Sequence, residues 1–538
     1  MTCKIIAAAL AASFGLAALV ASAANVPAGV QLAAKQELVR HNGTEPDSLD
    51  PSLAETKQSN YILCDLFEGL TRNGADGAIL PGVAESWKQT DPHTWVFKLR
   101  KDAKWSDGSP VTADDFVYSW QRTVDPKTGS KYTILLEFIT NAKDIVDGKK
   151  APKELGVKAT DKYTLEVKTN DVVPFFPGLA AMSTMAPLNK ANVEKGGKDW
   201  NKPGKMVSNG AYTMAEWVPN NRVVLAKNPQ YWNAKTVQIT KVTYNPTESD
   251  DTALKMYKSG EIDWTDQLPT GIYASLQKDF GKELRNTPWL GVYYLNMNNK
   301  LPEFKDKRVR QALTMVIDRD ILTQKVTGNG ETPAYSLFVK GTDGGTPSVY
   351  AWQKEPMAQR VAEAKKLLSD AGYGPGKKPL SLKLSYNTNE MHKKVMLFVG
   401  SEWKNKLGIQ TTMENQEFKV FVKTRHDGNY QIARNAWIAD YNDATTFLDL
   451  VRCGSAQNDT FYCNPAVDNL IKEGGQQTDA GKRNASFSKA MGIAMDDYAV
   501  IPMFQYAKAR LVKSYVGGYT TTNFLDDYLS QDFYIIKH

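Results

Sequence analysis

Apolar and polar positions alternate along TWVFKLR (Thr94–Arg100), KYTLEVK and RVVLAKN, the two-residue period of half-buried strands. Between the first of these and the next apolar run, SDGSP supplies turn residues. TADDF follows, with Thr112 three residues ahead of Asp115, a capping-box spacing that predicts a helix through FVYSWQR. Val309, Leu313, Val316, Ile317 and Ile321 recur at helical spacing, which predicts one helix within 306–326. Two more helices are expected, one ending at Ala371–Gly372 and one from about Met391 to Leu407 ahead of Gly408, each glycine placed as a C-terminal cap. Strands before and after helices define a mixed α/β chain without internal repeats.

One predicted strand is charged at both ends. In ARNAWIADYND (Ala433–Asp443), Arg434, Ala436, Ile438 and Asp440 share one face, while Asn435, Trp437 and Tyr441 share the other. At about 3.3 Å per residue, Arg434 and Asp440 stand roughly 20 Å apart, too far to pair with each other. Each needs another partner. A structural ion pair or a solvated strand end is one reading, and a ligand is the other.

Composition narrows the rest. With 538 residues, 42% hydrophobic and 10% aromatic, the chain exceeds what one core organises, so at least two lobes are expected, with a ligand site between them. The +7 charge is interspersed along the chain with no basic block, which argues against a nucleic-acid partner. Residues 1–23 combine Lys4, a short alanine-rich apolar run and Ala21-Ser22-Ala23, and read as a secretory signal peptide cut after Ala23. An exported chain lives in an oxidising compartment, so Cys453 and Cys463, flanking the polar GSAQNDTFY, are expected to form a disulfide, and Cys64 to be a buried free thiol. Five histidines without C-x-x-C or H-E-x-x-H give no metal site. No G-x-S-x-G elbow, P-loop or G-x-G-x-x-G after a strand is found, and carboxylates such as Asp440 and Asp443 could serve acid–base chemistry, but a spacing of three is usual for solvated acids. No catalytic residue and no cofactor is therefore assigned; a secreted peptidase is the rival from another class.

The block GVAESWKQTDPHTWVFKLRKDAKWSDGSPVTADDFVYSWQR (82–122) resembles the signature of the extracellular solute-binding proteins that deliver peptides to ABC transporters. NGAYTMAEWV, YWNAKTV, RVRQALTMVIDRD, LSYNTNEMHKK, TRHDGNYQIARNAWIADYND and ARLVKSYVGGY extend the resemblance over nearly the whole exported chain. The resemblance implies an α/β fold of two lobes and three domains, the cluster C type of periplasmic binding protein, with mixed sheets flanked by helices. Domain I would comprise 24–67, 192–290 and 508–538, domain II 68–191, and domain III 291–507. It further implies that Asp440 receives a peptide's α-ammonium and that Arg434, Arg425 and His392 receive carboxylates of peptides of different length. Glu55, Thr56, Lys57, Tyr132, Ala436 and Trp437 would line the peptide backbone or its pockets. The implied function is that of a monomeric periplasmic receptor for oligopeptides, serving an inner-membrane ABC permease, with a murein tripeptide or dipeptide as the alternative ligand. Two departures stand out. A family disulfide position falls on Gly291 and Ile438 here, and DWTDQLP (263–269) is one residue short of a backbone-binding segment, which puts contacts by Asp266 and Gln267 in question.

Overall fold

The computed structural model describes residues 24, 26–269 and 271–538; the proposed signal peptide, 1–23, lies outside the described residues. Two large apolar cores divide the chain. One runs from Leu38 to Trp264 and resumes from Val512 to Ile535, and the other lies entirely between Leu290 and Phe504.

The first core supports two four-stranded sheets. In one, Glu37–His41 pairs in parallel with Lys241–Asn245, which continues through Arg222–Lys227 to Tyr212–Val218. The other is antiparallel, in the order Ala84–Asp91, Thr94–Leu99, Thr164–Lys168, Val157–Asp161. The second core packs on a six-stranded mixed sheet in the order Thr332–Pro333, Val500–Leu511, Leu284–Met297, Ile432–Ile438, Ser381–Asn387, Gln410–Gln416. Mixed sheets with helices around them, divided between two cores, make this a two-lobed α/β fold.

The lobes are joined by the long pair Leu284–Met297 and Val500–Leu511. These strands run antiparallel from Leu284↔Leu511 to Asn296↔Val500, with the register interrupted between Pro288 and Val292. Leu284 and Leu511 pack on a small cluster with Ala253 and Tyr257, whereas Val292 and Phe504 belong to the second core. The ladder is thus broken between the two attachments, at 288–292. Both strands run across the domain boundaries drawn from sequence at 290/291 and 507/508.

Local readings are met in most places. The strand Thr94–Leu99 forms, and Thr112 caps the helix Ala113–Val124, its backbone N–H donating to Asp115 Oδ2 at 2.7 Å. The helices Met357–Asp370 and Glu390–Leu407 end where glycine adopts positive φ, at Gly372 (+90°) and Gly408 (+75°). The segment 306–326 differs. It is a helix only over Lys307–Met315, followed by a short turn at Arg319–Ile321 and a wider one at Leu322–Thr327. Arg319, 1% exposed, explains the break: its Nε donates to the carbonyls of Ala334 and Pro502, and Asp318 restarts the helix by accepting from Ile321 N. Val309, Leu313, Val316 and Ile317 are buried as expected, while Ile321 is left outside, 47% exposed.

Cys453 and Cys463 are disulfide-bonded. Cys64 is free and half-buried rather than fully enclosed, and burial pushes its thiol pKa up. Gly291 faces Ile438 across the ladder, and a side chain at 291 would meet Ile438 Cδ1 at 2.3 Å, so isoleucine fills the space where a bridge was implied for relatives. Among the described residues, no helix is long and apolar enough to cross a membrane.

Candidate functional site

The strand Ile432–Ile438 is bound along one edge by Leu284–Met297, from Met297↔Ile432 to Gly291↔Ile438. Along its other edge only Ile432 and Ala433 are paired, with Leu384 and Ser385. From Arg434 to Ile438 that edge has no strand partner among the described residues; the Ala436 N–H donates to Asn435 Oδ1 at 2.8 Å, and the other main-chain groups of the edge are open to another extended chain. Ala436 sits in the middle of this stretch, and Trp437 is fixed by its Nε1, which donates to Thr446 Oγ1 at 2.8 Å.

At the strand's end, Asp440 is half-buried beside a cavity of about 220 Å³ lined by both lobes. The first lobe contributes Glu55, Thr56, Lys57 and Tyr132. Thr56 is the extended N-cap of the helix Lys57–Leu66, and the N–H of Glu55 donates to Asp47 Oδ2 at 2.9 Å, which fixes the loop. Lys57 pairs with Asp527 and donates to the Leu525 carbonyl at 3.0 Å. Burial disfavours its charge, but Asp527 and Asp526 outweigh that, and its pKa is raised. Tyr132 donates its hydroxyl across the cleft to Asp440 Oδ1 at 2.7 Å; burial and then the charge of Asp440 hold that phenol protonated. Tyr441 reaches the same lobe, stacked on Phe175 at 4.6 Å and edge-on to Phe138 at 5.8 Å. Among the described residues, no cation lies within ion-pair distance of Asp440.

At the strand's start, Arg434 is 8% exposed, and its Nε donates to Asn387 Oδ1 at 2.6 Å. No carboxylate among the described residues pairs with it. His392 lies in the first turn of the helix Glu390–Leu407, where Asn389 caps His392 N at 3.1 Å. Burial, and then the charge of Arg434, push its pKa down to about 3, so the ring is neutral at pH 7 and acts through hydrogen bonds. Its Nδ1 is buried without a partner among the described residues. Arg425 is also near, but differently engaged: Nε lies 2.6 Å from Asp459 Oδ2, and Nη1 donates to Asn435 Oδ1.

Trp289 lines the Asp440 cavity and a second one of about 240 Å³ that includes Gln267, Glu331, Tyr506 and Lys508. Asp266 is 1% exposed and paired with Lys508 at 3.1 Å, so it faces inward, while Gln267 borders the space. The structure thus gathers Glu55, Thr56, Lys57, Tyr132 and Asp440 at one cavity and Arg434, Arg425 and His392 at a second cluster, connected by an unpaired strand edge. Sequence reading missed Asp527, Asn387, Asp459 and Trp289. Their partners are distant along the chain, Asp527 by 470 residues from Lys57, and no local pattern marks them.

Among the described residues, a carboxylate and a guanidinium, neither beside an opposite charge, thus stand at the two ends of this strand edge in the interlobe cleft. Comparison with known proteins places the chain within a family. Residues 78–459 match the model of the bacterial extracellular solute-binding proteins, family 5 Middle, and the chain belongs to that family. It is similar to the periplasmic oligopeptide-binding protein OppA of Escherichia coli (strain K12), 46% identical over 530 residues and 97% of each chain. Among solved structures, the periplasmic murein tripeptide-binding protein MppA in its unliganded open form is 42% identical, with TM-score 0.89, covering 95% of this chain and 99% of that one. OppA of Haemophilus influenzae in complex with the peptide RPPGFSPFR is 41% identical, with TM-score 0.73, covering 94% and 100%.

Proposed function

We propose that the protein is a periplasmic substrate-binding protein that encloses oligopeptides between its lobes and delivers them to an inner-membrane ABC importer, without chemical change to the ligand. The observation that carries this reading is the strand edge Arg434–Ile438 with an uncompensated Asp440 at one end and an uncompensated Arg434 at the other. An added peptide strand satisfies the edge irrespective of its side chains, Asp440 receives the α-ammonium and Arg434 the carboxylate. His392 and Arg425 serve carboxylates that end elsewhere, and Glu55, Thr56, Lys57, Tyr132, Ala436 and Trp437 border the peptide. Domain I (24–67, 192–290, 508–538) and domain II (68–191) form one lobe and domain III (291–507) the other, in a monomer that bends at the interrupted ladder. The greater likeness to the unliganded open form than to the peptide complex, at nearly equal identity, supports an arrangement nearer the open one, in which Tyr132–Asp440 and Tyr441–Phe175 bridge the lobes. Native mass spectrometry of the protein purified from its periplasm tests the reading: bound masses should resolve to intact peptides with free termini. Recovery of non-peptidic ligands alone, or cleavage of added peptides, would contradict it.

A further inference from the structure

Arg425 and Arg434 both approach the ring of Phe421, with guanidinium carbons 5.7 and 6.0 Å from its centroid. Only one of them is charge-compensated. Asp459, 5% exposed, sets Oδ2 2.6 Å from Arg425 Nε and Oδ1 2.6 Å from His426 Nδ1. Its place is fixed by the loop that carries it. The disulfide Cys453–Cys463 closes that loop, Tyr430 donates its hydroxyl to the Asp459 carbonyl, and Asn458 Nδ2 ties it to the Arg452 and Tyr462 carbonyls. Phe461, two residues on, is held at φ +57°, a conformation that needs such support.

We propose that Asp459 is a specificity-determining counter-ion. It holds Arg425 neutralised in the empty cleft and biases the protein toward peptides whose carboxylate ends at Arg434. The inference rests on the carboxylate-receiving roles given to Arg425 and Arg434. A carboxylate arriving at Arg425 meets a guanidinium already engaged and an acid a few ångströms behind it, whereas one arriving at Arg434 displaces no ion pair. Asparagine at 459 has nearly the same shape. Its oxygen can take the place of Oδ2 beside Arg425 while its amide donates to His426, so the substitution removes the charge and keeps the shape.

The experiment is calorimetry of di- to pentapeptides on the parent protein, Arg425→Ala, Asp459→Asn and the double variant. Arg425→Ala identifies the lengths that use Arg425. Those lengths should bind Asp459→Asn at least about fivefold more tightly than the parent, and the others should change less than about twofold. In the Arg425→Ala background, Asp459→Asn should have no effect. The melting temperature of ligand-free Asp459→Asn should fall, so stability and affinity move in opposite directions, which a purely structural role does not produce. Weaker binding of Arg425-dependent lengths, an equal shift at all lengths, or an effect that persists without Arg425 would overturn the proposal. If Arg425→Ala changes no length, the assigned role of Arg425 itself fails. Should Asp459→Asn not fold, C-terminal amidation tested on the parent protein decides. It should weaken peptides that depend on Arg434 more than those that depend on Arg425, and an equal or reversed penalty overturns the counter-ion role.

Discussion

Among the described residues, Asp440 and Arg434 differ from Lys57, Arg425 and Asp266 in having no opposite charge at hand, while each of the latter is paired within the protein. The alternation of ARNAWIADYND already shows that the two share a face. That their partners are neutral is not legible in it, because those partners come from remote segments, Asn387 for Arg434 and Tyr132 for Asp440. Arg434→Ala should therefore cost affinity only for peptides whose carboxylate reaches it, on the order of tenfold or more, in a calorimetric length series. A uniform loss at every length would restore the structural reading. His392 carries a pH signature. Its folded pKa, about 3, lies below its unfolded value near 6.5, so the unfolded chain takes up the proton first and stability falls as pH drops from 6.5 toward 3. At pH 4.5 this amounts to on the order of 2 kcal/mol. Asp532 works the other way: burial pushes it up to about 6, so its contribution is present at low pH and lost as pH rises through 6. The His392 part is isolated by comparing denaturation midpoints of His392→Gln and parent at pH 7 and 4.5; the variant should lose less stability on acidification.

The edge of Ile432–Ile438, without a strand partner among the described residues from Arg434 onward, would make main-chain hydrogen bonding the common element of all ligands. Methylating one peptide nitrogen that donates to this edge should weaken binding by about 1 kcal/mol or more, whatever the side chains. Methylation at every position without effect would argue against strand addition. The disulfide-closed loop makes a separate contribution. Replacing Cys453 and Cys463 together by serine should reduce stability by about 2 to 3 kcal/mol in the chain-entropy model and leave affinity for Arg434-dependent peptides unchanged. Thermal melts beside calorimetry check both halves. Elements with a clean period were legible from sequence, as at Thr94–Leu99 and Ala113–Val124. The apolar spacing across 306–326 misled because a buried arginine, Arg319, takes its acceptors from Ala334 and Pro502, and this long-range demand overrides local periodicity.

At the scale of the whole molecule, two strands with an interrupted ladder join the cores, and Tyr132–Asp440 and Tyr441–Phe175 already span the cleft opposite. Length and composition foretold two lobes; the register shift between Pro288 and Val292 was not legible, because it arises from the pairing of strands more than 200 residues apart. Peptide addition should contract the protein, seen in solution scattering as a smaller radius of gyration, because a ligand held by both lobes favours the closed arrangement. An unchanged radius at saturating peptide would argue against closure. The central claim is that closure is anchored on the free α-ammonium by Asp440, whose half-buried carboxylate has no cation within ion-pair distance among the described residues. Breaking one side of a buried charge pair typically costs about 3 to 5 kcal/mol. The direct measurement is calorimetry of one peptide with a free and with an acetylated N-terminus, on the parent protein and on Asp440→Asn. The parent should lose most of its affinity on acetylation, and Asp440→Asn should bind the free peptide poorly and discriminate little between the two. Equal affinity of the parent for both forms would contradict the account.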